Sequence, residues 1–249
     1  LIPARDDRSS EPPFHVVEIS VAAKDTSRAY ALQAEEAHKR ERRGDTVIGY
    51  KIGCTSGVIR RQLEIDEPIY GRLFASGRHE SGVRLSHGNF VNLAIEGELA
   101  VRLGNDLPGN PTALECESAI ESIFPVIELH HYFSLARELQ ISELITSNGM
   151  NAGLVAPERT ADNRLARAQD LTIHVNGRTI ASSNEPFTMK SPEASLQWLA
   201  IRLAIEGLRL LRGQIILTGS ALPLFPIDPG DAVVVEAPPL GLCQLFVEP

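Results

Sequence analysis

The dipeptide Asn176-Gly177, set between Leu171-Thr172-Ile173-His174-Val175 and Arg178-Thr179-Ile180-Ala181, is the strongest constraint on the fold. A two-residue type I′ turn needs positive φ at both central positions, which Asn and Gly adopt at little cost, and its twist matches that of the strands it joins. This stretch is therefore an antiparallel hairpin. Further β-type runs at 214–218, 232–236 and 242–247 are divided by Pro and Gly clusters such as Pro226-Ile227-Asp228-Pro229-Gly230-Asp231. Helices are fewer. One runs from Asp25, its N-cap, through Arg43 to a stop at Gly44, and a short one covers 57–64. Thr112-Ala113-Leu114-Glu115 is a capping box whose helix continues through Ile120, Ile123 and Phe124 until Pro125 ends it. The longest helix opens at Ser191-Pro192, buries Leu196, Leu199, Ala200, Leu203 and Leu208, and closes at Gly213. Residues 67–74 read as a loop. No glycine-rich phosphate loop joins a strand to a helix, which disfavours a nucleotide-binding fold. The expected class is α+β and β-rich: a polar arm over 1–13, then one domain over 14–249, helical to about residue 45 and β-rich from 46 onward.

Within this β pattern lie two glutamates on one strand face. In Ile95-Glu96-Gly97-Glu98-Leu99-Ala100-Val101 the period-two alternation projects Glu96 and Glu98 to the same side, where like charges repel. Such a pair is stable when solvated, when it shares a proton, or when a cation bridges it. A third acid, Glu128, sits in the apolar run Phe124-Pro125-Val126-Ile127-Glu128-Leu129, where a lone carboxylate is costly. Three convergent carboxylates suit Mg²⁺ or Mn²⁺ better than Zn²⁺. Upstream, Gly49, Lys51 and Gly53 share one face of a strand and Ile48, Tyr50 and Ile52 the other. The glycines clear space around the lysine amine, as a strand does where a ligand approaches; an exposed edge-strand lysine is the alternative.

A formal charge of −8 and the lack of a basic run argue against a nucleic-acid or anionic-membrane partner. At 249 residues, 43% of them apolar, the chain buries a core without staples. Cys54, Cys116 and Cys243 have unrelated spacings and read as reduced thiols of a cytoplasmic protein, with no signal peptide and no membrane span expected.

The ordered set Gly49-Tyr50-Lys51-Ile52-Gly53-Cys54-Thr55-Ser56, Pro68-Ile69-Tyr70-Gly71-Arg72-Leu73, Glu96-Gly97-Glu98, Pro125-Val126-Ile127-Glu128, Val175-Asn176-Gly177, Trp198-Leu199-Ala200 and Ile216-Leu217-Thr218-Gly219-Ser220 resembles the fumarylacetoacetate hydrolase superfamily. Within it the chain resembles the branch of 2-keto-4-pentenoate hydratases and 2-oxo-3-hexenedioate (4-oxalocrotonate) decarboxylases. The resemblance implies a mixed β-sheet roll with flanking helices and a Mg²⁺ or Mn²⁺ ion on Glu96, Glu98 and Glu128. It implies a small 2-oxo or 2-hydroxydienoic acid as substrate and Lys51 as proton shuttle. Substrate contacts are implied for Tyr70, Gly71, Arg72, Leu73, Ser147, Asn148, Thr218, Gly219 and Ser220, although Thr218-Gly219-Ser220 also reads as a plain turn leaving a strand. Relatives are often dimers or rings of dimers, which implies a homo-oligomer or a hydratase/decarboxylase pair.

The chain departs from the family pattern around the substrate. His131 stands where relatives carry an acid and is a candidate general acid or base; Ser147 replaces another acid; and 184–192 replaces a small-residue loop. His130, two positions beyond Glu128, shares its strand face and is either an extra metal ligand that shifts preference toward Mn²⁺ or Fe²⁺, or a packed strand-end histidine. The resemblance implies hydration of a conjugated 2-oxo acid. Decarboxylation of a 2-oxo diacid, carbon–carbon hydrolysis of an acylpyruvate, and an inactive metal-binding subunit are the alternatives.

Overall fold

The computed structural model describes residues 25–132, 140–158 and 170–249, so the polar arm expected over 1–13 lies outside the described residues. In chain order the elements are α1 (Thr26–Arg42), β1 (Val47–Gly53), α2 (Gly57–Gln62), β2 (Ile69–Phe74), β3 (Arg78–Glu80), β4 (Val83–Ser86), β5 (Leu93–Leu103), α3 (Ala113–Ala119), β6 (Ile120–His131), α4 (Ile141–Thr146), β7 (Asn151–Ala156), β8 (Leu171–Val175), β9 (Arg178–Ser183), α5 (Pro192–Ala204), β10 (Ile215–Leu217), β11 (Phe225–Pro226), β12 (Ala232–Glu236) and β13 (Leu242–Glu248). Asp25 caps α1 by accepting from the Arg28 amide at 2.9 Å, and the Thr112–Glu115 box opens α3. Asn176 and Gly177 both take positive φ between β8 and β9, as the hairpin requires.

The strands form two sheets. One has eight strands in the order β2-β1-β10-β5-β6-β7-β3, with β11 pairing the start of β5; the other runs β4-β13-β12-β8-β9. Alternation gives the larger sheet two unlike faces. Ile95, Leu99, Val101, Ile123, Ile127 and Leu129 face the smaller sheet and join its Ile173, Val233, Val235 and Leu245 in the main core. Gly97 lies on that face. A Cβ there would stand 2.8 Å from Ile173 Cγ1 and 3.1 Å from Val235 Cγ2, so only glycine lets the two sheets close at this point. The opposite face is the inside of a curled sheet. It carries a smaller apolar cluster of Leu73, Ala100, Phe124, Val126, Leu154, Ala156, Ile215 and Leu217.

Three expectations are corrected. Residues 69–74 are not a loop: β2 pairs antiparallel with β1, and all six of its residues are buried. Ile69, Tyr70, Leu73 and Phe74 supply the strand character, and Pro68 and Gly71 do not break it because Pro68 precedes the strand and Gly71 lies where it meets Lys51. The helix from Thr112 ends at Ala119, because Ile120 pairs with Leu103 and Ile123 with Val101, so pairing overrides helical continuation. Pro125 is tolerated inside β6 because pairing to β7 begins only at Ile127. Finally, α5 ends at Ala204 rather than near Gly213. Gly207, at φ +71°, donates to Ala204 O while the Leu208 amide reaches Leu203 O, a Schellman ending that leaves α1, at 17 residues against 13, the longer helix.

Cys54, Cys116 and Cys243 are free thiols. Among the described residues no helix is long and apolar enough to cross a membrane.

Candidate functional site

The polar end of the inner face is assembled by register. Glu96 on β5 lies directly opposite Glu128 on β6, Ala94 opposite His130, and Glu98 opposite Val126, so Glu96, Glu98, Glu128 and His130 project to one side. Lys51 reaches the same point from β1, three strands away through β10 and β5. In a flat sheet that separation is about 14 Å. Lys51 Nζ nevertheless lies 3.2 Å from Glu128 Oε1, because the sheet curls the β1 side chain over the glutamates. Of the glycines flanking Lys51, Gly53 clears the amine as the alternation suggested, but Gly49 does not: a Cβ there would strike Ile215 O of β10 at 1.9 Å, so the close pairing to β10 is what requires it. A Cβ on Gly53 would lie 3.3 Å from Nζ, one on Gly149 3.1 Å from it, and one on Gly71 3.2 Å from Lys51 Cγ.

These charges are buried and incompletely satisfied. Glu98 and Glu128 are buried, whereas the Glu96 side chain keeps 22% exposure and marks the open side of the cluster. Glu98 Oε2 accepts from the Gly219 amide at 2.9 Å, and Glu128 Oε1 from Asn151 Nδ2 at 2.8 Å. Among the described residues their second oxygens, Glu98 Oε1 and Glu128 Oε2, have no hydrogen-bond partner, nor has either nitrogen of His130. His130 Nε2 stands 3.4 Å from Glu96 Oε2 and 3.6 Å from Glu128 Oε2. Burial, then the neighbouring Glu128 and Glu96, push the Glu98 carboxyl well above the ordinary range. Glu96 is also penalised by burial, but the close approach of the His130 ring and the charge of Lys51 outweigh this and hold it below its usual value. For Lys51, burial disfavours the charged amine, and Glu128, Glu96 and Glu98 together overcome that, so its pKa rises.

Buried carboxylate lone pairs with no donor are what a cation satisfies. Ligand atoms of Glu96, Glu128 and His130 lie within 4.8 Å of one another, and Glu98 interacts electrostatically with both glutamates from the same face. A hard divalent ion fits this donor set.

The other expected site residues divide. Gly71 faces Lys51, and Leu73 lies on the same inner face, inside the apolar cluster. Asn148, at positive φ, pairs both ends of its amide with the Arg72 backbone, so it closes the edge of β2 and brings Gly149 over Lys51. Tyr70 and Arg72 point to the opposite face. The Tyr70 hydroxyl donates to Glu206, its ring stacks on Tyr30 at 4.6 Å, and Arg72 binds Gln33 and lies 3.8 Å from Glu206. Their expected substrate contact is corrected by strand alternation, which sends them into the α1–α5 side. The Ser147 hydroxyl donates to Leu144 O at the end of α4. The donors expected from Thr218-Gly219-Ser220 are committed elsewhere: the Thr218 hydroxyl donates to Leu99 O, the Gly219 amide to Glu98, and the Ser220 hydroxyl lies 2.7 Å from Leu222 O. Gly219 is required there, because a Cβ would stand 2.5 Å from Thr55 Cγ2.

His131 is turned to the opposite face from Glu128 and His130. Its Nδ1 accepts from the Val91 amide at 3.2 Å and its ring packs near Phe90. It lines a cavity of about 250 Å³ with Arg40, His79, Phe90 and Asn151, to which Lys51 and the three glutamates do not contribute. Burial, then His130, lowers its pKa to about 4. The placement argues against the acid–base role expected of it. Two residues were missed. Asn151 orients Glu128 but follows the irregular turn 147–150, where no periodicity announces it. Thr188, whose buried hydroxyl lacks a partner, packs against Gly219 from a segment with no regular pattern.

The family model for the C-terminal part of fumarylacetoacetate hydrolase matches residues 60–248. The chain is 28% identical over 221 residues to the TodF product hydratase of Pseudomonas putida, covering 87% of this chain and 82% of that one. It is 30% identical over 222 residues to the 2-oxo-hept-4-ene-1,7-dioate hydratase of Escherichia coli, covering 86% and 83%. Among solved structures, 4-oxalocrotonate decarboxylase from Pseudomonas putida G7, complexed with magnesium and adipate, superposes with a TM-score of 0.83 at 22% identity over 92% of this chain and 87% of that one.

Proposed function

The chain belongs to the fumarylacetoacetate hydrolase family, and from that premise we propose that it is a divalent-cation-dependent lyase that adds water to a conjugated 2-oxo or 2-hydroxydienoic acid. One observation carries the reading: three convergent glutamates face a buried lysine, and two of their buried oxygens are claimed by no donor among the described residues. The hydratase names of the two curated relatives favour hydration over loss of CO₂.

Glu96, Glu98 and Glu128 would hold the ion, Mg²⁺ or Mn²⁺. Bound there, a divalent cation supplies positive charge opposite a 2-oxo oxygen on which negative charge builds during the reaction. Hydration delivers one proton to the substrate's carbon chain and removes one from the adding water. Lys51 suits both tasks in turn. The surrounding carboxylates favour its ammonium form, the proton donor, and the neutral amine left after donation accepts the proton from water. Asn151 fixes the Glu128 rotamer, and Gly53, Gly71 and Gly149 keep the space around the amine clear. The partly exposed Glu96 marks the side from which a small acid would enter.

The test is turnover of a panel of 2-hydroxydienoates and 2-oxo diacids with Mg²⁺ or Mn²⁺, following conjugated absorbance and CO₂ together. Loss of absorbance without CO₂ is the expected result. Release of CO₂ would reassign the chain to decarboxylation, and no turnover of any member would reduce it to a metal-binding subunit.

A further inference from the structure

We infer that His130 is a protein ligand of the cation, so that the centre is a mixed oxygen and nitrogen site selecting Mn²⁺ over Mg²⁺. The inference rests on the metal reading above and deepens it. Strand alternation carries His130 to the same side as Glu128, and Nε2 comes between two carboxylate oxygens, 3.4 Å from Glu96 Oε2 and 3.6 Å from Glu128 Oε2. A single N–H cannot serve both at those distances, and Nε2 makes no hydrogen bond to either. The ring is buried, 2% exposed, and Nδ1 also lacks a partner, so among the described residues the cluster is what accounts for an imidazole here.

The ligand atoms of Glu96, Glu128 and His130 gather within 4.8 Å of one another. An ion among them exchanges an unsatisfied imidazole nitrogen and an unsatisfied carboxylate oxygen for bonds. The chemical consequence is selectivity. Mg²⁺ prefers an all-oxygen shell and holds its waters, whereas a neutral imidazole binds Mn²⁺ and the metals after it with increasing strength. His131, on the other face and committed to the Val91 amide, does not share this role.

The experiment is pulsed electron paramagnetic resonance of the full chain loaded with Mn²⁺, with Mn²⁺ and Mg²⁺ affinities measured by calorimetry on the same samples. The wild-type spectrum is expected to show ¹⁴N coupling from a directly bound imidazole. His130→Val, a strand-compatible apolar replacement, is expected to remove that coupling and weaken Mn²⁺ by about tenfold while changing Mg²⁺ much less. His130→Gln, which keeps a polar side chain but no nitrogen lone pair, is expected to lose the coupling as well and to serve if the valine variant does not fold. Bound Mn²⁺ without nitrogen coupling in the wild type, or coupling that persists in both variants, would overturn the assignment of His130 while leaving the glutamate site standing. Failure of the wild type to bind either ion would instead overturn the metal reading itself.

Discussion

Two charged clusters lie back to back across β1 and β2, and they differ in how their carboxylates are balanced. On the outer face, Tyr70 donates to Glu206, Arg72 binds Gln33, and Gln33 donates to Tyr70 O at 3.2 Å and Ile145 O at 2.8 Å. Glu206 Oε1 makes no hydrogen bond among the described residues, but it lies 3.4 Å from the Arg202 guanidinium, which also covers the Tyr30 ring. On the inner face, Lys51 meets an excess of carboxylate, and among the described residues Glu98 Oε1, Glu128 Oε2 and His130 Nε2 have no hydrogen-bond partner. Charge and burial alone do not separate the two. The outer cluster uses its polar groups to fasten α1, α4 and α5 to the sheet, whereas the inner one leaves lone pairs convergent and open, which is costly unless something binds.

The comparison predicts opposite phenotypes for its two halves. The largest effect is expected at Lys51: Lys51→Ala should lower kcat by roughly 10²–10⁴-fold, the usual contribution of a positioned proton donor, with the cation still bound by calorimetry. Retained turnover would remove Lys51 from the chemistry. Arg72→Met should act on stability instead, costing about 3–5 kcal/mol by leaving Glu206 and Gln33 short of a partner, while turnover per folded molecule stays near wild type. A melt combined with active-site titration separates the two, and a loss of kcat in folded protein would show that the outer cluster is not merely structural.

His131 sharpens the contrast through pH. Its folded pKa of about 4 lies below the ordinary histidine value, so the folded state binds fewer protons than the unfolded chain between those limits. The stability it contributes is full above about pH 6.5 and is lost as pH falls through about 4, an amount on the order of 3 kcal/mol. In His131→Gln the acid limb of the stability curve, measured by denaturant unfolding from pH 7 to 4, should flatten. An unchanged limb would mean that the ring is not buried neutral. The smallest effect is expected at Glu98→Gln in metal-free protein. Removing one of three mutually repelling carboxylates should leave stability equal or slightly raised while cation affinity falls, a divergence that a structural carboxylate would not produce.

Much of the inner cluster was legible in the sequence because β alternation is strict. Glu96, Glu98 and Lys51 followed from a period of two along β5 and β1, Glu128 from the cost of a carboxylate in an apolar run, and His130 from alternation past Glu128; the contact of Gly97 with the second sheet was not foreseen. The outer cluster was hidden by reading 67–74 as a loop. Once β2 is a strand, the same alternation parts Gly71 and Leu73 from Tyr70 and Arg72. Asn151 and Thr188 were beyond reach for another reason: they are placed by irregular backbone, where only tertiary packing says which way a side chain points. The hydroxyls of Thr218 and Ser220 were visible as donors, but the Leu99 and Leu222 carbonyls that consume them were not.

The central claim is that the carboxylate-rich cluster, and not its arginine-balanced neighbour, is built around a cation. An anomalous-difference map from crystals grown with Mn²⁺ tests it most directly. The account predicts one strong peak bounded by Glu96, Glu98 and Glu128; a peak at Glu206, or none at saturating Mn²⁺, would contradict it.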